Sequence, residues 1–217
     1  MLGALNKNMK IPLPISCSKC GSFQEIFISL HDMSFVGTCK CGEDLSGFLD
    51  NNVSIGVKLL YRSRSEYLNK QDYPLSIVFA ATAMECQLSR LYFKWRRINS
   101  IRDEDAISDD QLERSLREFS PVDKKIDEIA KLMYPDGLAA FVHQDPELVR
   151  ILSDGFPSLR LENLPKSFQK TLFWPRNKIL HLGDSRFEVE QAKKCFNIST
   201  LGLRILESLD QFKIGAT

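Results

Sequence analysis

The sequence of 217 residues lacks any apolar run that approaches the roughly 20 residues of a membrane-spanning helix. The segment from Met1 to Ser16 also lacks the apolar stretch of a secretory signal peptide. These two absences argue against membrane insertion and against secretion. We therefore expect a cytoplasmic protein that has no membrane partner.

An excess of charge of one sign is missing as well, because 29 lysines and arginines balance 28 aspartates and glutamates. The resulting formal charge of +1 does not attract nucleic acid through the overall field, so any affinity for RNA has to come from local clusters. Internal repeats and glycine-rich phosphate loops are also absent. Their absence disfavours repeat architectures and enzymes that bind a nucleotide through a glycine-rich phosphate-binding loop.

Cysteine is present but unevenly distributed. Four of the six cysteines, Cys17, Cys20, Cys39 and Cys41, lie in the first fifth of the chain, as two short pairs that are each followed by glycine. Disulfides are rare in a reducing cytosol, so clustered cysteines there more often hold a metal. Four thiolates suit Zn²⁺ and leave no open position for a catalytic water. We predict a structural zinc ion on these cysteines, with a disulfide or an unliganded module as the alternatives.

The segment between the two cysteine pairs has the pattern of short strands. Residues 23–30 are rich in Phe and Ile, and residues 33–38 form a second extended run across a turn that contains His31. A segment of about 40 residues buries too little surface to fold alone, so its size also requires a metal. The segment resembles the zinc-ribbon family, and we predict a β zinc ribbon over residues 1–51. It departs from the commoner spacing because Lys40 alone separates the second cysteine pair.

The rest of the chain carries the start and stop signals of helices. Residues 108–111 and 185–188 match the capping box, and residues 120–121 and 145–146 place a capping side chain before proline. The Pro-Asp-Gly sequence at 135–137 predicts the end of another helix.

Apolar residues recur at steps of three and four along two long segments, which predicts helices with one face in a core. One set is Ile77, Ala80, Ala81, Met84, Leu88, Leu91 and Trp95, and the other is Ala192, Cys195, Ile198, Leu201, Ile205, Leu209 and Phe212. Cys86 and Cys195 are interpreted as small apolar residues of that core. We predict a mainly α fold, with a bundle of about five to seven helices over residues 52–217 and a less regular stretch at 141–165.

The strongest functional signal is the stretch that contains Arg176, Asn177 and His181. Gly183 stands where a helix would end, so His181 is expected in a final helical turn. Asn177 and His181 are four residues apart and share a helix face, whereas Arg176 lies about 140° from His181. Arg176 therefore needs its long side chain, or a kink near Pro175, to converge with the histidine. The spacing alone is a weak signal.

This Arg-Asn-x-x-x-His stretch, together with the alanine-rich helix that contains Glu85 and the long last helix, resembles the HEPN superfamily over residues 52–212. The resemblance implies a homodimer that cleaves RNA without a metal. Attack by the 2′-hydroxyl needs a base, an acid and a cation for the charge on the phosphate. Two copies of His181 across a two-fold interface would divide the acid and base roles, beside both copies of Arg176. Asn177 would orient the imidazole or a phosphate oxygen.

Other residues have less specific signals. Glu85 is a candidate supporting residue or a member of a surface ion pair. Lys178 is a candidate phosphate contact or a solvated side chain. Lys94, Arg96 and Arg97 would contact an RNA backbone, although basic residues at a helix C-terminus also favour the helix dipole. The only other histidine after residue 52, at position 143, is interpreted as a surface loop residue.

Three functional hypotheses follow from these residues. The first is a HEPN-type endoribonuclease, as a toxin or antiviral effector, with RNA as substrate and an antitoxin or regulatory protein as a further partner. In this hypothesis the zinc ribbon recognises RNA or docks a partner. The second is a non-catalytic HEPN module that binds nucleotide or nucleic acid, or acts as an adaptor. The third treats His181 as a structural histidine that is paired with a carboxylate.

Overall fold

The structure is a computed structural model. It describes residues 10–17, 19–29, 34–45, 47–48, 54–102, 107–118, 121–157 and 159–215. Over these ranges a small N-terminal sheet precedes a long helical region, so the predicted mainly α fold is confirmed. Every helix in the described ranges is too short or too polar to cross a lipid bilayer.

The N-terminal sheet has four antiparallel strands in the order of the chain. They are β1 (Lys10–Ser16), β2 (Phe23–Ser29), β3 (Ser34–Phe35) and β4 (Gly47–Phe48). The two predicted strands correspond to β2 and β3, whereas β1 was missed because it contains Pro12 and Pro14. Proline cannot donate to a strand ladder, but β1 lies at the edge of the sheet, where proline is tolerated. His31 lies outside the described residues.

Nine α-helices follow in the described residues. They are α1 (Ile55–Ser65), α2 (Tyr73–Arg102), α3 (Asp109–Glu118), α4 (Val122–Met133), α5 (Gly137–Gln144), α6 (Pro146–Gly155), α7 (Leu164–Phe168), α8 (Trp174–Leu182) and α9 (Val189–Gly215). A π-helical turn, Gln169–Phe173, joins α7 to α8 without a break. The junction between β4 and α1 falls outside the described residues, so the domain boundary at residue 51 stays a prediction.

Two of the four predicted capping signals at helix starts are confirmed. The Ser108 and Gln111 side chains each accept a hydrogen bond from the other residue's backbone amide, at 3.3 and 2.8 Å, and form the predicted capping box. Asp145 accepts hydrogen bonds from two amides of α6, with Pro146 in the first turn. This cap starts a helix inside the stretch at 141–165, so the prediction that this stretch is irregular was wrong for α6.

The predicted helix start at 185–188 was also wrong, by about one turn. Helix α9 begins at Val189, and the Glu188 amide donates to the Gln191 side chain at 2.9 Å. The Ser185 carbonyl instead accepts from Phe187 in a turn before the helix. Pro121 occupies the N-cap of α4 rather than its first turn, and Ser120 lies outside the described residues.

Helix α2 is the centre of the bundle and packs against both α1 and α9. All the apolar residues of the two predicted stripes are buried except Phe212, which is 46% exposed. Phe212 still packs edge-on against the rings of Tyr134 and Phe141. The alanines of α2 let the neighbouring helices approach closely. A Cβ atom at Gly202 of α9 would lie 2.7 Å from the Met84 sulfur, so that crossing has no room for a larger residue.

Charged side chains are buried between α2 and α9. Asp210, which is 2% exposed, accepts hydrogen bonds from Trp95 Nε1 at 2.8 Å and from Lys94 Nζ at 2.7 Å. Glu207 accepts from Arg90 at 3.0 Å, and burial raises the pKa of this carboxyl although Arg90 opposes the shift. Buried charges of this kind are tolerated when they are paired and hydrogen-bonded.

Replacing Asp210 with alanine is expected to lower the free energy of unfolding by about 1–3 kcal/mol, because the buried Trp95 Nε1 and the partly exposed Lys94 would lose their shared acceptor. Urea denaturation measures this change. The matched control is Asp109→Ala, which removes the exposed ion pair with Arg97 and should cost about 0–1 kcal/mol. Equal losses in the two variants would show that the buried network does not stabilise the fold.

Candidate functional site

The predicted cysteine cluster is assembled in the structure. Cys17 and Cys20 flank the turn after β1, and Cys39 and Cys41 lie in the turn region between β3 and β4. The sulfur atoms of Cys17 and Cys41 are 3.7 Å apart, those of Cys20 and Cys39 are 3.5 Å apart, and all four lie within 4.8 Å of one another. Four sulfurs at about 2.3 Å from one metal ion are about 3.8 Å apart. The cluster therefore has the dimensions of a tetrahedral metal site.

The local backbone explains how two different cysteine spacings form one cluster. Gly21 and Gly42 both have positive φ angles, of 71° and 84°, which a residue with a side chain rarely adopts. Their amides donate to the carbonyls of Cys17 and Cys39, at 2.9 and 2.8 Å, and close a turn in each pair. The shorter second pair, with only Lys40 between its cysteines, thus still makes a turn.

Hydrogen bonds to the sulfurs lower the pKa of Cys20 and Cys39 and favour their thiolate forms. Although the hydrogen bond with the Glu43 backbone opposes the shift, burial and the neighbouring thiols raise the pKa of Cys41 to about 12. The amide of Cys41 and the hydroxyl of Ser22 lower the pKa of the Cys39 thiol to about 6. The Ser22 hydroxyl lies 3.0 Å from the sulfur of Cys20 and 3.4 Å from that of Cys39. Sequence analysis missed Ser22, since a serine after a Cys-Gly pair has no distinctive signal. It serves both cysteine pairs because the sheet brings them together.

The Arg-Asn-x-x-x-His stretch forms α8, and the predicted helix end is confirmed. Gly183 has a φ angle of 63°, and its amide donates to the Ile179 carbonyl at 3.1 Å. This 5→1 bond is that of an αL cap, and the Asp184 amide also donates to the Lys178 carbonyl at 3.3 Å. His181 therefore lies in the last turn of α8, as predicted.

Three of the candidate residues form one cluster between α8 and α2. Arg176 Nη2 donates to Glu85 Oε2 at 2.8 Å, and Arg176 Nη1 donates to Asn177 Oδ1 at 3.1 Å. The Arg176 side chain is 24% exposed. Its Nε atom is buried and has no hydrogen-bond partner among the residues that the structure describes. One N–H group of the guanidinium thus remains unsatisfied in this cluster.

His181 is separate from this cluster. Its side chain is exposed, and no hydrogen bond or ion pair joins it to Arg176 or to any carboxylate in the described part of the chain. The hypothesis of a structural histidine paired with a carboxylate therefore finds no partner within those ranges. Lys178 is also exposed. The separation of about 140° around the helix axis places the histidine on the outer face of α8, while Arg176 faces α2.

Lys125 of α4 is a further cation near Glu85 that sequence analysis missed. Burial lowers the pKa of Lys125, and the Glu85 carboxylate opposes that shift, so the two charges interact. No sequence signal links them, because the packing of α4 on α2 brings together residues that are distant in the chain.

The other candidate cations have structural partners. Lys94 pairs with Asp210, Arg97 pairs with Asp109, and the Arg96 guanidinium lies 6.0 Å from the ring centroid of Tyr92. Each of the three cations therefore makes a contact within the protein that does not require RNA. His143 lies in the last turn of α5 and is exposed, so it is a surface residue of a helix rather than of a loop.

Of the two isolated cysteines, Cys195 lies in the core and Cys86 lies partly exposed beside it. Cys195 is buried, its thiol donates to the Thr171 carbonyl at 2.9 Å, and burial raises its pKa to about 12. Burial, together with the nearby Glu85 charge, also raises the pKa of Cys86. Thiols with raised pKa values are poor nucleophiles at neutral pH. Both residues therefore fit their interpretation as small apolar side chains.

Comparison of the chain with protein-family models, curated proteins and solved structures finds no match. The resemblance to the HEPN superfamily therefore depends on the Arg-Asn-x-x-x-His stretch and on the helices that carry it. The geometry around Arg176, Glu85 and His181 has to support any functional assignment.

Proposed function

We propose that the protein is a metal-independent endoribonuclease of HEPN type that acts as a homodimer, with a structural zinc ribbon at its N-terminus. The single observation that carries this proposal is the end of α8. There His181 is exposed and has no partner among the described residues, and it lies between one and two turns beyond an arginine that is held by Glu85 and Asn177.

The residue types at this end of α8 match the needs of RNA cleavage. A phosphodiester that is attacked by its own 2′-hydroxyl gains negative charge, which a guanidinium stabilises. Glu85 and Asn177 orient the guanidinium of Arg176, whose side chain remains 24% exposed. An exposed imidazole is free to exchange protons with the substrate. One histidine does not readily act as both base and acid, so the reaction calls for a second copy.

The outer face of α8 favours association with a second chain. No residue of this helix is fully buried, and Trp174, Leu180 and Leu182 are 54%, 52% and 76% exposed. Trp174 and His181 are seven residues apart, so they project within about 20° of each other. A second copy that covers Trp174 through a two-fold axis would bring the two histidines close together.

The cysteine cluster supports zinc as the metal of the N-terminal module. Four thiolates at tetrahedral separations are the ligand set that zinc prefers, and they fill all of its coordination positions. The zinc would then hold the turns of the sheet together and take no part in catalysis.

The purified protein is expected to cut single-stranded RNA in the presence of EDTA, because the proposed site uses only side chains. The products should carry 2′,3′-cyclic phosphate ends, which follow from attack by the 2′-hydroxyl. Mass spectrometry identifies the ends, and sedimentation tests for the dimer. The zinc content has to be measured after EDTA treatment, so that loss of the ribbon is not mistaken for metal-dependent chemistry. Cleavage that requires Mg²⁺, or a monomer that cleaves, would exclude the proposal.

A second function is favoured by the Arg176–Glu85 ion pair itself. A guanidinium that is 2.8 Å from a carboxylate joins α8 to α2 and stabilises the helix hairpin without any substrate. In that case the protein is a non-catalytic HEPN module, an adaptor or a nucleic-acid-binding protein. It would then bind RNA without shortening it in the same assay.

A further inference from the structure

Ser22 is held against the cysteine cluster by its backbone. It follows Gly21 in the turn after β1 and directly precedes β2. Its carbonyl accepts a hydrogen bond from the Cys17 amide at 2.9 Å, and its amide donates to the Cys20 sulfur. Neither contact uses the side chain. The turn therefore sets the position from which the Ser22 hydroxyl reaches the cluster.

The Ser22 hydroxyl lies between sulfur atoms of the two cysteine pairs. Its oxygen is 3.0 Å from the Cys20 sulfur and 3.4 Å from the Cys39 sulfur, and these two sulfurs are 3.5 Å apart. A hydroxyl has one proton to donate, and rotation about the Cβ–Oγ bond directs it to either sulfur. In the part of the chain that the structure describes, Ser22 has the one side-chain hydroxyl that lies within hydrogen-bonding distance of a cluster sulfur.

The sulfur that lies nearest to this hydroxyl belongs to a residue that solvent can reach. Cys20 and Cys41 are exposed, whereas Cys17 and Cys39 are buried. A competing ligand has to reach the metal–sulfur bond, so exchange begins at an exposed sulfur rather than at a buried one. Four thiolates around Zn²⁺ also carry excess negative charge, which a hydroxyl donor stabilises. The Ser22 hydroxyl therefore supports one exposed and one buried ligand, the exposed one at the shorter distance.

We propose that Ser22 is a positioning residue of the zinc site, whose hydroxyl donates to the Cys20 and Cys39 thiolates and slows the loss of the metal. This inference rests on the proposed zinc site and adds to it a residue that is not a ligand. The hydroxyl acts separately from the turn, because both backbone contacts of Ser22 remain when its side chain is shortened to that of alanine.

Transfer of zinc from the full-length, zinc-loaded protein to an excess of the colorimetric chelator pyridylazoresorcinol measures this effect. Ser22→Ala is expected to release zinc about tenfold faster than the wild type. Loss of a hydrogen-bond partner of a metal ligand typically weakens binding by about 10–100-fold, and the partial exposure of Ser22 favours the lower value. Ser22→Thr keeps the hydroxyl and should release zinc at close to the wild-type rate.

Thr38→Val is the matched control, because it removes a hydroxyl next to Cys39 and keeps the branched shape of the side chain. Thr38 is exposed, and its hydroxyl makes no hydrogen bond to a cluster sulfur within the described ranges. This variant should release zinc at the wild-type rate. Amide hydrogen exchange of zinc-loaded Ser22→Ala should match that of the wild type, since the backbone contacts of the turn persist.

Faster release from Ser22→Ala, with Ser22→Thr and Thr38→Val close to the wild type, supports the proposal. Wild-type kinetics in Ser22→Ala would overturn it and leave the zinc site itself standing. Release from Ser22→Thr or Thr38→Val that is as fast as from Ser22→Ala would also overturn it, because the hydroxyl at position 22 would then not set the rate. A wild-type protein that binds no zinc refutes the proposed metal and this inference together.

Discussion

Replacing His181 with alanine is expected to lower the rate of RNA cleavage by about 10²–10⁴-fold, the usual contribution of a general acid or base. The expected change in stability is small, because the imidazole is exposed and makes no hydrogen bond or ion pair with the described residues. Initial rates on one RNA substrate and the thermal unfolding midpoint measure the two effects. A large loss of activity at constant stability is the result that a catalytic histidine requires.

His143→Ala is the matched control for this variant. His143 is also exposed and also lies in the last turn of its helix, α5. Its removal should change neither the rate nor the unfolding midpoint. If His181→Ala cleaves RNA as fast as the wild type, the proposed nuclease is refuted, and the Arg176–Glu85 pair would stand as a structural link between α8 and α2.

Replacing Cys17 with serine is expected to abolish zinc binding, whereas the wild-type protein should contain about one zinc ion per chain. Binding of structural zinc by small modules contributes about 10–16 kcal/mol, so its loss should unfold the segment that carries β1–β4. Elemental analysis measures the metal. Amide hydrogen exchange measures the sheet, and the helical circular dichroism signal should persist, because the helical core has its own buried side chains.

Cys86→Ser provides the control for the zinc experiment, since Cys86 lies in α2 and takes no part in the cluster. It should retain the full zinc content and the protected amides of the sheet. A wild-type protein that is folded and free of metal, or a Cys17→Ser variant that keeps its zinc, would contradict the assignment.

Several features could be read from neighbouring residues alone. The Asp145 cap, the capping box at Ser108 and the end of α8 at Gly183 were all predicted from a few adjacent positions. The helical stripes of α2 and α9 were predicted in the same way, and so was the cysteine cluster. The caps join residues that are close in the chain, and the stripes depend on a spacing that one helix repeats. The cysteine cluster joins residues up to 24 positions apart, and it was predicted from the chemistry of four thiols rather than from a local contact.

Other features were missed because competing local signals had similar strength. Strand β1 was not predicted because it contains two prolines, although an edge strand accommodates proline. Ser185 looked like a helix cap, but Glu188 and Gln191 form the actual start of α9. Residue propensities do not separate such alternatives, because the position of a strand in the sheet or of a helix in the bundle decides between them.

The sequence by itself therefore determines which candidate site residues lie on α8 and in the cysteine pairs. It does not determine which residues from other elements contact them. Glu85 meets Arg176 across 91 positions of the chain, and its charge also acts on Lys125 of α4. These contacts arise when α2, α4 and α8 pack together, and their geometry depends on long-range packing that no short stretch of residues specifies.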